Sequence, residues 1–181
     1  MSEESTRYSR VAAGFRSRLD AVPENRWDAP SPCDEWSARA VVAHSALVHR
    51  NVASMVRPEL RQGTVHDDPP TAWHQASDLV AAALDDSGLS GVEVQTRAGH
   101  MSFAELVATL LCADTLVHTW DLARATGLDE GLDPEAVAAA YAYLAPRGEQ
   151  MRVPGGFGPE VDPPPGADPQ TRFLCFTGRR P

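Results

Sequence analysis

Asp114, His118 and Asp121 carry the chemistry that can be read from this sequence. In the run ADTLVHTWDLARATG, Asp114 and His118 are four residues apart, so on a helix they lie one above the other, and Asp121 follows three beyond. A carboxylate and an imidazole on the inward stripe of a helix are costly to bury unpaired, and a divalent cation is one means of removing that cost. A second imidazole, His44, stands at an inward position of a different apolar stretch. Two imidazoles and one carboxylate make a mixed nitrogen and oxygen set suited to Zn2+, with Ni2+ or Fe2+ as alternatives. Three protein ligands leave a coordination position open, the arrangement of a catalytic rather than a structural ion. Asp121 is placed to hold the His118 imidazole or a bound water from behind, and Arg124 to meet an anionic substrate. Each residue also has a plainer role: a satisfied core histidine for His44 and an intrahelical pair for Asp114 and His118. For Asp121 it is a salt bridge, and for Arg124 the negative end of the helix dipole.

The helix that must carry Asp114 and His118 spans residues 102–127. Ser102 and Glu105 have the spacing of a capping box, and Phe103, Leu106, Val107, Leu110 and Leu111 recur at helical spacing. Gly127 sits where a left-handed C-terminal cap belongs. His44 belongs to a helix capped by Ser37 and stopped by Pro58. Its apolar stripe reads Ala40, Val41, His44, Leu47, Val48, Asn51 and Met55, which leaves His49 at the surface. Trp36, just before the cap, is placed to staple onto Val41, and the loop WDAPSPCDEW should fold Trp27 and Trp36 back on the end of the bundle.

Around these two helices the pattern is also helical. Tyr8, Val11, Phe15 and Leu19 mark an amphipathic first helix within residues 5–22, and Thr71 opens a third with Trp73, Ala76, Leu79, Val80, Ala83 and Leu84 inward. Asp133 followed by Pro134, and Asp168 followed by Pro169, are start signals for two later helices. His66, Asp67 and Asp68 look ligand-like but fall on a polar loop over residues 59–70 and are expected to be solvated. Residues 92–98, VEVQTRA, are expected to be an extended crossover rather than part of a sheet, and residues 152–168 a wrap rich in proline and glycine. The whole chain, 1–181, therefore reads as one all-α domain. It is a four-helix bundle with a long crossover and extra short C-terminal helices, in which a metal site is built from facing helices.

Composition removes several function classes. A net charge of −9 and the absence of lysine among 16 basic residues argue against nucleic acid, the Walker phosphate loop and Schiff-base chemistry. Three widely spaced cysteines, Cys33, Cys112 and Cys175, indicate neither a disulfide framework nor a thiolate zinc site, and read as small buried apolar residues. The N-terminus, MSEESTRYSR, is no secretory signal, and no fully apolar run approaches the roughly 20 residues needed to cross a bilayer. A cytoplasmic protein without a membrane or nucleic-acid partner is expected, as a monomer or homodimer.

The stretches PSPCDEWSARAVVAHSALVHRN and ADTLVHTWDLARATG resemble the metal-binding domain of mycothiol-dependent maleylpyruvate isomerases. More closely, they resemble single-domain actinobacterial metal-binding proteins related to them, within the DinB-like superfamily. The likeness extends to the C-terminal FGPEVDPPPGADPQTRFLCFTGRRP. It implies a four-helix bundle with one His on the second helix and an acid-x-x-x-His pair on the fourth, which fall on His44, Asp114 and His118. The family's acid is a glutamate, so Asp114 is one methylene shorter. The isomerase also has a further C-terminal domain contributing to catalysis, absent from this sequence, so maleylpyruvate isomerisation itself is not expected. What the resemblance implies is a metal-dependent enzyme that activates a small thiol such as mycothiol to act on a small electrophilic substrate, as a transferase or isomerase. The alternatives are a metal- or ligand-binding protein without chemistry, and a metal-dependent enzyme that activates water.

Overall fold

A computed structural model of the chain describes residues 2–33, 36–62, 66–96, 98–152 and 156–181. Parts of the expected polar loop (63–65) and of the expected wrap (153–155) thus lie outside the described residues. The predicted helical bundle is the architecture observed. Helix α1 (Glu3–Leu19) is capped by the Ser2 side chain, α2 (Ala38–Val56) by Ser37, and α3 (Pro69–Asp85) by Asp68 with two prolines in its first turn. A short α4 (Ser87–Ser90) leads into strands β1 (Glu93–Thr96) and β2 (Gly99–Ser102).

The central helix, Phe103–Thr126, follows as α5 (Phe103–Leu106), a π-helical turn (Val107–Leu111) and α6 (Cys112–Thr126). The Ser102 hydroxyl accepts from the Glu105 N–H at 3.1 Å, and Gly127 closes the helix at φ +78°. Helices α7 (Pro134–Leu144), α8 (Gly148–Met151) and α9 (Pro169–Phe176) complete the chain; Asp133 and Asp168 cap α7 and α9.

The bundle closes as a ring in which α1 packs on α6 and α3, and α2 on α3 and α6. Among the described residues its interior holds two large apolar clusters, with a small third one of Val94, Met101 and Leu106 under the hairpin. One is centred on Phe103, Leu111, Leu116 and Trp120, the other on Phe15, Val41, Trp73 and Leu122, with Phe15 and Trp73 stacked at 4.6 Å. Burying each of these large side chains contributes about 2 kcal/mol. The central helix is long and apolar enough to cross a bilayer, with mean hydropathy 1.2 in its most apolar window, but 83% of that window is buried inside the fold. It is the core rod of the bundle.

Two expectations fail here. Residues 93–96 do join a sheet: β1 pairs antiparallel with β2, placing Val94 against Met101 on the buried side. Gly99, at φ +108°, permits the turn, and the Thr96 hydroxyl donates to the Gly99 carbonyl at 2.8 Å. The second strand, GHMS, hides in the sequence because it runs directly into the cap of the central helix. The apolar stripe of α2 is also rotated from its predicted position. Leu47 is 48% exposed and Asn51 is exposed, whereas His49, expected at the surface, is fully buried. The cause is that α2 is covered on two flanks, by α3 and by α6, so a single stripe does not describe it.

Candidate metal centre

Helices α2 and α6 converge on one side of the bundle and aim three side chains at a common point. One ligand atom from each of His44, Asp114 and His118 lies within 4.8 Å of the others. The rings of His44 and His118 are 5.0 Å apart, edge to face, and His118 Nε2 is 3.6 Å from Asp114 Oδ1. Atoms bound to one tetrahedral zinc, each at about 2.0–2.2 Å, lie roughly 3.3–3.6 Å from one another. Asp114 Oδ2 is buried and has no hydrogen-bond partner among the described residues. An orphaned carboxylate oxygen beside two imidazoles has the donor chemistry of a divalent-cation site, and the residues present fit such an ion.

The far nitrogen of His118 is also held. Nδ1–H donates to Asp121 Oδ2 at 3.0 Å, which turns Nε2 toward Asp114 and His44. Asp121 is fully buried, and Arg179 from the C-terminal segment grips both its oxygens, Nε to Oδ1 at 3.0 Å and Nη2 to Oδ2 at 2.7 Å. The Cys33 thiol donates to the same carboxylate at 3.2 Å and accepts from Arg179 Nη2 at 2.9 Å. Cys33, His118 and Asp121 thus form a second tight group. It lies on the Nδ1 side of the ring, where the Arg179 guanidinium already supplies the positive charge.

Charges in the site follow from this packing. Burial opposes a charge on His118, but Asp114, with hydrogen bonds involving Asp121 and Cys33, overcomes it and pushes the imidazole up to about 10. Burial likewise pushes the Asp121 carboxyl up, yet its bonds from His118 and Arg179 hold it down at about 2. Burial first, and then the charge of His118, lower His44. The two carboxylates that flank the His118 ring, Asp114 and Asp121, thus favour positive charge at this point of the site.

The site opens into a cavity of about 580 Å³. His44, Asp114, His118, Cys33 and Arg179 gather in its wall, and Trp36 covers them, 4.6 Å from the His44 ring and 6.0 Å from that of His118. Of the residues singled out from sequence, His44, Asp114 and His118 come together and Asp121 stands directly behind them. Arg124 does not join them. It is exposed to solvent, bonded to Glu130 at 2.8 and 3.0 Å and lying over the Trp120 ring, and it does not line the cavity. The expectation that Cys33 is an inert apolar filler fails, and Trp36 does more than staple a helix end. Arg179 was not singled out at all. The one sequence signal for the first two was a lone cysteine and a tryptophan in a proline-rich loop just ahead of the His44 helix.

Comparisons with known proteins identify the family of the chain. The family model described as the mycothiol maleylpyruvate isomerase N-terminal domain matches residues 8–123, a span that includes His44, Asp114, His118 and Asp121. Two uncharacterised proteins of Mycobacterium tuberculosis, MT0763 of strain CDC 1551 and Rv0738 of strain H37Rv, are each 32% identical to the chain over 180 residues. Both matches cover 95% of this chain and 95% of the relative. No solved structure matches the chain significantly. A helical bundle that brings His44, Asp114 and His118 together, and a family match over most of its length, make this chain a member of the mycothiol maleylpyruvate isomerase N-terminal domain family, within the DinB-like superfamily.

Proposed function

We propose that the protein is a divalent-metal-dependent enzyme, with Zn2+ the best-suited ion, that activates a small thiol such as mycothiol and adds its sulfur to an electrophilic carbon. The S–H proton given up as the thiolate forms ends on the adduct, which either persists as the S-transfer product or, after rotation about the saturated bond, loses the thiol and that proton again to leave the isomer. The observation that carries this is the orphaned Asp114 Oδ2 beside His44 and His118, at the wall of a ligand-sized cavity. His44, Asp114 and His118 would hold the ion, which supplies Lewis acidity that brings a thiol's pKa toward neutrality. The chain does the rest. Asp121 keeps the proton of His118 on Nδ1, so that Nε2 is free for coordination. Arg179 neutralises Asp121 and ties the C-terminal segment to the site. Trp36 and the apolar cavity wall exclude water, which protects a reactive sulfur from competing protons. The reaction takes place in the cytoplasm, on a small molecule, with the protein a monomer or homodimer and no membrane or nucleic-acid partner.

Thermal shift with and without chelator tests this. A small thiol raises the Tm of zinc-loaded protein, by the equivalent of about 2.7 kcal/mol at a hundred times its Kd, and has no effect after chelation. An equal shift in chelated protein rules out thiol ligation.

A further inference from the structure

The cavity has two chemically distinct ends. The polar end is the cluster around His44, Asp114 and His118. The other is walled by Val48 and Val52 from α2, by Leu106 and Leu110 from the central helix, and by Met151 and Phe157 from the C-terminal part. Val48 and Val52, and equally Leu106 and Leu110, are four apart, so each pair forms a continuous strip along its helix. The π-helical turn contributes Leu110 and Leu111 together to this wall.

Charge is scarce there. Arg179 is the one described basic side chain besides the histidines in the cavity lining, and it is spent on Asp121, Cys33 and the Thr177 carbonyl. A divalent ion on Asp114 would leave about one net positive charge, enough for one anionic group, whether the thiolate or a carboxylate probe offered in its place. Among the described lining residues Gln150 is the one neutral amide and no further cationic side chain is present. A dianion would therefore bring a second carboxylate into the cavity without an opposite charge to meet it, at a cost that grows with desolvation.

We infer that the electrophilic substrate is a molecule with one reactive or anionic head and an apolar tail, the head at the His44, Asp114 and His118 cluster and the tail along Val48, Val52, Leu106 and Leu110. This deepens the proposed function and rests on it for the identity of the head. The tail end stands on the lining alone. A cavity of about 580 Å³ falls within the range that takes a drug-sized ligand, which leaves room for a tail longer than the few carbons of a small dicarboxylate.

Calorimetric titration of zinc-loaded protein with butanoate, hexanoate, octanoate and succinate separates the two ends. Affinity rises about threefold to fourfold with each added methylene, and hexanoate binds at least about tenfold more tightly than succinate. Val52→Thr, similar in shape but polar, weakens octanoate and leaves butanoate almost unchanged. A series that is flat in chain length, or succinate equal to hexanoate, overturns the inference. The same titrations after chelation address the head. Uniform weakening of every monocarboxylate with the slope intact supports both ends. Affinities indifferent to chelation sink the metal centre and leave the tail assignment standing.

Discussion

His44 and His49 lie five residues apart on α2 and are used in opposite ways. On a helix of 3.6 residues per turn they point about 140° apart, and both directions are enclosed. His44 faces the cavity between α2 and α6, half-buried beside Trp36, with its ring against that of His118. His49 is fully buried, with Nδ1 bonded to the Ser45 carbonyl at 2.8 Å and Nε2 3.5 Å from the Thr115 hydroxyl. Burial, only partly offset by that carbonyl, lowers it to about 4. Both are inward histidines; only His44 meets a carboxylate with a spare lone pair across open space. An inward imidazole becomes a candidate ligand through what faces it, and a core residue when the backbone has already satisfied it.

Replacing each residue in turn should divide the two roles. His44→Ala lowers zinc affinity at least about a hundredfold, since it deletes one of three ligands, while the melting temperature of the metal-free protein barely moves. Metal content equal to wild type in that variant would dissolve the distinction. His49→Ala does the reverse. It costs about 3 kcal/mol in urea unfolding through the space left and the lost hydrogen bond, and zinc affinity stays within about threefold.

The same histidine gives the comparison a pH signature. Because the folded protein protonates His49 only near pH 4, the unfolded chain binds that proton first between about pH 6.5 and 4. Stability attributable to His49 is therefore fully present above that window and falls by about 3 kcal/mol as pH drops through it. His49→Gln should flatten the profile between those limits; an unchanged profile would mean that the buried ring does not resist protonation.

A smaller effect sharpens the description of the ligand side. Asp121→Asn removes the charge that holds His118 from behind, and zinc affinity falls about tenfold to a hundredfold with the three ligands intact. The smallest effect belongs to Arg124. Its side chain is 45% exposed and pairs with Glu130, so Arg124→Ala changes zinc affinity less than twofold and stability by less than about 1 kcal/mol.

Local chemistry made much of the fold legible. Ser37, Ser102, Asp133 and Asp168 each accept a hydrogen bond from a first-turn N–H of the helix they precede, and Gly127 takes the left-handed conformation. The Asp114 and His118 spacing was likewise a local signal, meaningful within one helix. What the sequence hid was long-range. Cys33 meets Asp121 across 88 positions, and Arg179 meets Cys33 across 146, so no window on the chain contains both partners. The burial of His49 was hidden for a related reason. A single-stripe helix exposes that position, and only the packing of α2 between α3 and α6 covers it. The hairpin escaped because Gly99 and Ser102, its turn and its last residue, carry the signals of a loop and a helix cap.

Zinc-edge X-ray absorption of the loaded protein, before and after adding a small thiol, tests the central claim most directly. Nitrogen and oxygen neighbours alone at about 2.0–2.2 Å before addition, and one sulfur at about 2.3 Å afterwards, are the result expected for His44, Asp114 and His118 with an open position. A sulfur neighbour already present without added thiol would place Cys33 in the coordination sphere, and a spectrum indifferent to the thiol would contradict thiol activation.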